Sequence, residues 1–152
     1  MKEELAILAN GLDGKVYNNV KEIKASAYTG EATLVGNALE NVITASKGSS
    51  TLWGGEGSGN DTLIGSSGYD EFFYRKGNGN DVIQRAEGSD LINLLDINLE
   101  DISSTAINGY SIRIDFNDGG SLSMNTLTDL TFQLADGSKW QSDKNHKTWV
   151  SK

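Results

Sequence analysis

Six positions in the middle of this chain share one phase. Asn41, Asp61 and Asp81 lie 20 residues apart, and Ser50, Asp70 and Asp90 repeat the same step. Two residues after each stands an apolar side chain: Ile43, Leu63 and Ile83 in one series, Leu52, Phe72 and Ile92 in the other. A surface loop has no physical reason to hold such a register. A stack of similar coils does, because each coil offers an apolar residue that only its neighbours can bury. The expected fold is therefore all-β, a two-sheet solenoid whose units are each a turn followed by a very short strand. Two units per coil place the strands in opposed sheets, with the six apolar residues between them. Asp61 then falls beside Asp81 on one edge, and Asp70 beside Asp90 on the other.

A further coil precedes these. IKAS (Ile23 to Ser26) echoes ITAS (Ile43 to Ser46) at a step of 20, and TLVG (Thr33 to Gly36) echoes TLWG (Thr51 to Gly54) at a step of 18. The mismatch of steps requires an insertion or deletion in a turn.

Composition agrees with many short strands and turns. The 152 residues include 18 glycines and no proline, and only 37% are apolar. No heptad pattern supports a helical bundle. The net charge of -8 disfavours nucleic acid and anionic membranes, whose phosphates call for a basic face. It favours cations where the acids converge. With no cysteine, disulfides, thiolate metal sites and thiol catalysis are excluded. No apolar run reaches membrane-spanning length, so no membrane insertion is expected. The opening MKEELAILANGLDG holds too short an apolar stretch for a secretory signal.

The turns ask for a cation. Two carboxylates held close repel each other and need a proton, a basic side chain or a metal. Arg75 and Lys76 lie in the nearby turns. Calcium suits the purpose because it takes six to eight oxygens, roughly, at flexible geometry, from carboxylates and backbone carbonyls. Zinc calls for His or Cys, and the single histidine, His146, is far along the chain. The glycines fit this reading: carbonyls can turn toward an ion only where the backbone is free of side-chain sterics. Gly54, Gly55, Gly57 and Gly59 precede Asp61, Gly77 and Gly79 precede Asp81, Gly68 precedes Asp70, and Gly88 precedes Asp90. The alternative is that Asp and Asn here only form Asx turns, which is the better reading for Asn41 and Ser50.

The stretch GGEGSGNDTLIGSSGYDEFFYRKGNGNDVIQ closely resembles the RTX (haemolysin-type) calcium-binding nonapeptide repeats, G-G-x-G-x-D-x-U-x with U a large apolar residue. The resemblance is strong over Gly54 to Asn93. It implies a parallel β-roll, calcium between the turns of adjacent coils, and type I secretion to the extracellular space. The metal-site residues so identified are Asp61, Asp70, Asp81 and Asp90, with Gly55, Gly57, Asn60, Ser66, Gly68, Gly79, Asn80 and Gly88 around them. Two full sites are expected, Asp61 with Asp81 and Asp70 with Asp90, with further half-sites at Asn41/Asp61 and Ser50/Asp70. Several units depart from the repeat: Ser66 replaces the second glycine, and the units at Tyr74 and Arg85 lack the double glycine. The coil from Gly36 to Trp53, with Asn41 and Ser50, is expected to bind weakly or not at all.

Four segments follow: residues 1–35 as an N-terminal cap or degenerate coil, 36–93 as the calcium-binding roll, 94–140 as an antiparallel β-hairpin cap, and 141–152 as a frayed polar tail. Val16, Val20, Ile23 and Leu34 are candidates to join the core from the first. LAILANGL reads equally as a short strand or a helical turn. In the cap, Asn108-Gly109 and Asn117-Asp118-Gly119-Gly120 signal hairpins, and Asp136-Gly137 a turn. Ile112, Ile114 and Phe116, then Leu130, Phe132 and Leu134, form two buried faces. FQLADGSKW resembles the ending that commonly follows RTX repeats.

The leading expectation is a calcium-binding structural module, joined to neighbouring domains of a larger secreted bacterial protein, that folds when calcium binds. The alternative is a glycan- or cell-surface-binding module carrying Trp53, Tyr69, Phe73 and Tyr74, although these aromatics serve equally well as packing between the sheets. Catalysis is not expected. The one histidine lies in the tail, so no Ser-His-Asp set can be assembled, and the phased aspartates are better used as ligands than as a glycosidase pair.

Overall fold

The computed structural model describes residues 4–8 and 19–152, with side chains from residue 19 onward. Val16 lies outside the described residues. The strands are β1 (Glu4–Leu8), β2 (Glu22–Lys24), β3 (Glu31–Val35), β4 (Val42–Thr44), β5 (Ser50–Trp53), β6 (Thr62–Ile64), β7 (Asp70–Tyr74), β8 (Asn80–Gln84) and β9 (Leu91–Leu94). After a 3-10 turn at Leu99–Asp101 come β10 (Ile102–Asn108), β11 (Ser111–Phe116), β12 (Ser121–Asn125), β13 (Thr131–Gln133), β14 (Lys139–Asp143) and β15 (Thr148–Ser151).

Among the described residues these strands make two sheets, in the orders β1-β3-β5-β7-β9-β13-β14-β15 and β10-β11-β12-β8-β6-β4-β2. From β2 to β9 successive strands alternate between the sheets, and every pairing within this stretch is parallel. The architecture is the expected two-sheet solenoid. Its register carries the repeat directly: Ile43 pairs with Leu63 and Leu63 with Ile83, while Leu52 pairs with Phe72 and Phe72 with Ile92. All six side chains are buried in one core. Fully burying a side chain of this kind stabilises by about 1.5–3 kcal/mol.

The earlier coil is present with both of its steps. Ile23 pairs with Ile43, 20 residues on, and Leu34 with Leu52, 18 residues on. Ile23 and Leu34 are buried, and Val20 packs against the core from its edge. Glu4–Leu8 is a strand, parallel to β3, which resolves the reading of the opening segment.

The C-terminal strands begin antiparallel, with β10-β11 and β11-β12 turning at Asn108-Gly109 and Asn117–Gly120. Two of them also extend the solenoid. β12 lies parallel on β8 and β13 parallel on β9, which puts Leu122 opposite Asp81 and Thr131 opposite Leu91. Both buried faces read from the sequence are in the core.

One expectation is corrected. Residues 141–152 do not form a frayed tail: β14 and β15 pair antiparallel, with Trp140 opposite Ser151 and Asp143 opposite Thr148. The Trp149 ring meets Phe132 edge-on at 4.8 Å, and its indole N–H donates to Thr105 Oγ1 at 3.0 Å. A large aromatic that lies over the open end of the core offsets the polarity of the surrounding residues.

Candidate metal-binding edges

The turns between strands stack into two edges. One collects Asn41, Asp61 and Asp81, the other Ser50, Asp70 and Asp90, and all six side chains are buried. Their mutual arrangement is a ladder of hydrogen bonds. The backbone N–H of Asn41 donates to Asp61 Oδ1 at 2.8 Å, and that of Asp61 to Asp81 Oδ1 at 2.9 Å. On the opposite edge Ser50 N–H donates to Asp70 Oδ1 at 3.0 Å, and Asp70 N–H to Asp90 Oδ1 at 2.9 Å. Each carboxylate therefore accepts from the coil before it. The structure brings together both pairs that the spacing indicated.

The remaining carboxylate oxygens differ between edges. Asp70 Oδ2 accepts from Ser66 N–H at 2.7 Å and from Ser66 Oγ–H at 3.2 Å, and Asp90 Oδ2 accepts from Glu87 N–H at 2.7 Å. Asp61 Oδ2 lies against Gly54, where an added Cβ would stand 1.8 Å away. That glycine leaves room for the carboxylate itself.

Charge balance is unresolved by side chains. Among the described residues no Lys, Arg or His pairs with any of the four ladder aspartates. Arg75 instead meets Glu56 at 3.0 Å and Asp96 at 3.7 Å, and Lys76 meets Asp101 at 2.9 Å. Burial pushes all four carboxyls up, Asp61 to about 7, Asp81 to about 8 and Asp90 to about 6, with Asp70 raised in the same direction. The backbone donors of the ladder act against this without cancelling it. Near neutral pH the ladder needs protons or a cation, since among the described residues nothing basic reaches it.

The glycines serve two separate needs, and only one of them was anticipated. Gly55 and Gly57 have φ of +106° and +115°, the left-handed region that turns carbonyls out of the usual direction. Gly68 has no such φ. A Cβ there would stand 2.4 Å from Gly48 O of the preceding coil, so close stacking of backbone on backbone is its reason. Gly79 combines both, with φ +85° and 2.7 Å to Gly59 O. Gly88 meets only ordinary contacts, at 3.4 Å or more.

With this geometry in view, comparison with known families finds the RTX calcium-binding nonapeptide repeat, in four copies, over residues 35–72. This segment is an RTX repeat. It spans a quarter of the chain, and its bounds take in Asn41, Ser50, Asp61 and Asp70 but stop before Asp81 and Asp90. The parallel ladder continues through those two turns in unbroken register, so the solenoid extends past the matched residues. No curated protein and no solved structure matched the chain.

RTX repeats bind calcium, and the donors on the Asp70/Asp90 edge suit a hard cation. Two carboxylates converge there, and among the described residues no hydrogen bond reaches the carbonyl oxygens of Ser66, Gly68 or Gly88. Ser66 is a carboxylate partner here rather than only a gap in the glycine pattern. On the Asp61/Asp81 edge, Asn60 Oδ1 accepts from Asn80 N–H at 2.9 Å and Asn80 Oδ1 accepts from Ser121 Oγ–H at 2.8 Å, a second short ladder outside the first. In the coil from Gly36 to Trp53 the ladder positions carry no charge. Asn41 accepts from Asn37 N–H and donates its amide to Val20 O, and the hydroxyls of Ser46 and Ser50 bond each other at 3.0 Å.

One residue escaped the sequence reading. Asn78 is buried, and its side chain joins the turns 54–60 and 74–80. In the string GNGND it is indistinguishable from a turn-forming asparagine. The aromatic strip also dissolves: Tyr74 is in the core, stacked on Phe116 at 4.9 Å, whereas Tyr69 is exposed and Trp53 and Phe73 are half-buried.

Proposed function

We propose that this chain is a non-catalytic module that folds on binding calcium, as part of a larger bacterial protein that acts outside the cell. One observation carries the reading. Four buried aspartates, in phase with an RTX repeat, have no basic partner among the described residues. Without a cation the core must hold four carboxyls that resist ionisation. With one, ionised carboxylates become ligands, and the free energy of metal binding becomes folding free energy. Extracellular calcium, at millimolar levels or so, suits oxygen sites of this class. A cytosol poor in calcium would leave the chain open enough to pass an export channel. RTX repeats are typical of secreted proteins, which supports this location.

The test is far-UV circular dichroism and thermal unfolding in chelator, then across a calcium titration with magnesium as control. β-structure and melting temperature should rise with calcium and not with magnesium, and Asp90→Asn should remove much of the response. Equal folding and equal stability in chelator would reduce the aspartates to turn formers.

A further inference from the structure

The two edges of the roll are not built alike. Gly55 and Gly57 present their carbonyls to the next coil, which is where a bridging cation would find oxygen ligands. An amide group is already there. Asn78 Nδ2 donates to Gly55 O at 2.9 Å and lies 3.4 Å from Gly57 O. Its Oδ1 accepts from Arg75 N–H at 2.9 Å and from Trp53 Nε1–H at 3.1 Å. An asparagine side chain has two donor hydrogens and two acceptor positions, and here all four are used.

A third carbonyl of this edge is taken as well. Gly79 O accepts from the Tyr74 hydroxyl at 2.7 Å and from Ser121 N–H at 3.0 Å. Arg75 also links the two turns: it pairs with Glu56 of the preceding turn and lies over the Trp53 ring, 6.0 Å from its centroid. The carbonyl positions that a bridging cation would use are thus met by the chain itself. A cation entering here would have to displace a buried amide and leave its donors unpaired, which is costly. Among the described residues no comparable donor covers the carbonyls of Ser66, Gly68 or Gly88 on the other edge.

We infer that the Asn78 carboxamide replaces a cation between the turns 54–60 and 74–80, so that this edge closes without calcium and the ion is confined to the Asp70/Asp90 edge. The second half rests on the calcium reading above, and the first does not. The edge that keeps Asp61 and Asp81 is then a permanent seam, and the other is the responsive one.

Hydrogen exchange of the full chain, in chelator and in calcium, with Asn78→Ala and Asn78→Asp as variants, tests both halves. In the wild type, amides of 54–60 and 74–80 should be protected in chelator and gain little from calcium, while those of 65–70 and 85–90 gain strongly. Asn78→Ala should lower protection of 54–60 in chelator by roughly tenfold, the loss expected for a buried hydrogen-bonded group. Asn78→Asp should lower it similarly and regain it with calcium, because a carboxylate is put beside two carbonyls. Calcium protecting both edges of the wild type equally would overturn the inference. So would unchanged protection of 54–60 in both variants. If calcium alters no amide in any form, the proposed function fails, and the Asn78 clamp stands or falls on the chelator measurements alone.

Discussion

At the level of single residues, burial governs the ladder aspartates, and it gives the protein a pH dependence of definite sign. Their folded-state values are raised above the ordinary 3.8, to about 6, 7 and 8 for Asp90, Asp61 and Asp81. The folded chain therefore holds more protons than the unfolded chain across that interval, and stability falls as pH rises through it. In chelator the melting temperature should drop between pH 4 and pH 8, about the span from the ordinary value to the highest raised one. Saturating calcium should remove the share of the drop that Asp70 and Asp90 supply and leave that of Asp61 and Asp81, and Asp81→Asn should flatten the drop in chelator. A melting temperature that rises with pH in chelator would contradict the assignment. Glycine gives a second test at this scale. Gly77 has φ +80° with open space around it, whereas Gly68 faces the Gly48 carbonyl. Asparagine tolerates the left-handed region, so Gly77→Asn should cost little, about 1 kcal/mol or less. Gly68→Asn must push two coils apart and should cost about 1–3 kcal/mol, as overpacking does. Urea unfolding separates the two, and equal costs would refute the stacking argument.

Strands are where sequence and structure can be compared most directly. Each short strand sends one phased apolar side chain into the core, and that side chain sets its register. This is why Ile43, Leu63, Ile83 and their counterparts on the other sheet were legible: a period of 20 survives any local ambiguity, and even the 18-residue step from Leu34 to Leu52 could be read. Phe72→Ala should cost about 3–5 kcal/mol, as for a large buried aromatic, visible as a lower urea midpoint in calcium. What was not legible depended on contacts far apart in sequence. Trp149 is surrounded by polar residues, and its partners Phe132 and Thr105 lie 17 and 44 residues away. Asn78 resembles a turn residue because its partners, Trp53, Gly55 and Gly57, belong to another coil. The glycines before the aspartates were legible as necessary, but close stacking at Gly68 and carbonyl orientation at Gly55 leave the same letter in the sequence. Trp149→Ala should release β14 and β15, raising their exchange rates while the calcium response of the roll stays intact. A lost calcium response in that variant would tie the end strands to the sites.

The molecule as a whole is a stack that ends differently from how it repeats. Opposite Asp81 the next strand carries Leu122, and beyond Asp90 the corresponding position is Leu130, just before the Thr131 that pairs with Leu91. Both ladders of acids end in leucine. Leu130 N–H finds its acceptor in Ser142 Oγ at 2.9 Å, a hydroxyl from β14 in place of a further aspartate. A chain ended at residue 93 loses these closures and exposes the core at its C-terminal side. Its far-UV spectrum in calcium should show much less β-structure, with a broad, weakly cooperative melt. A melt equal to that of the full chain would show that the coils stand alone.

Every rung of the ladder joins a donor in one coil to a carboxylate in the coil that follows. The stack consequently has a grain. Along this ladder a turn finds its carboxylate acceptor in its successor, so order is handed backward along the chain, from the capped end toward the start. Calcium admitted near Asp90 would work on the links closest to that anchor, and the rungs at Asn41 and Ser50 would be the last of this ladder to inherit it.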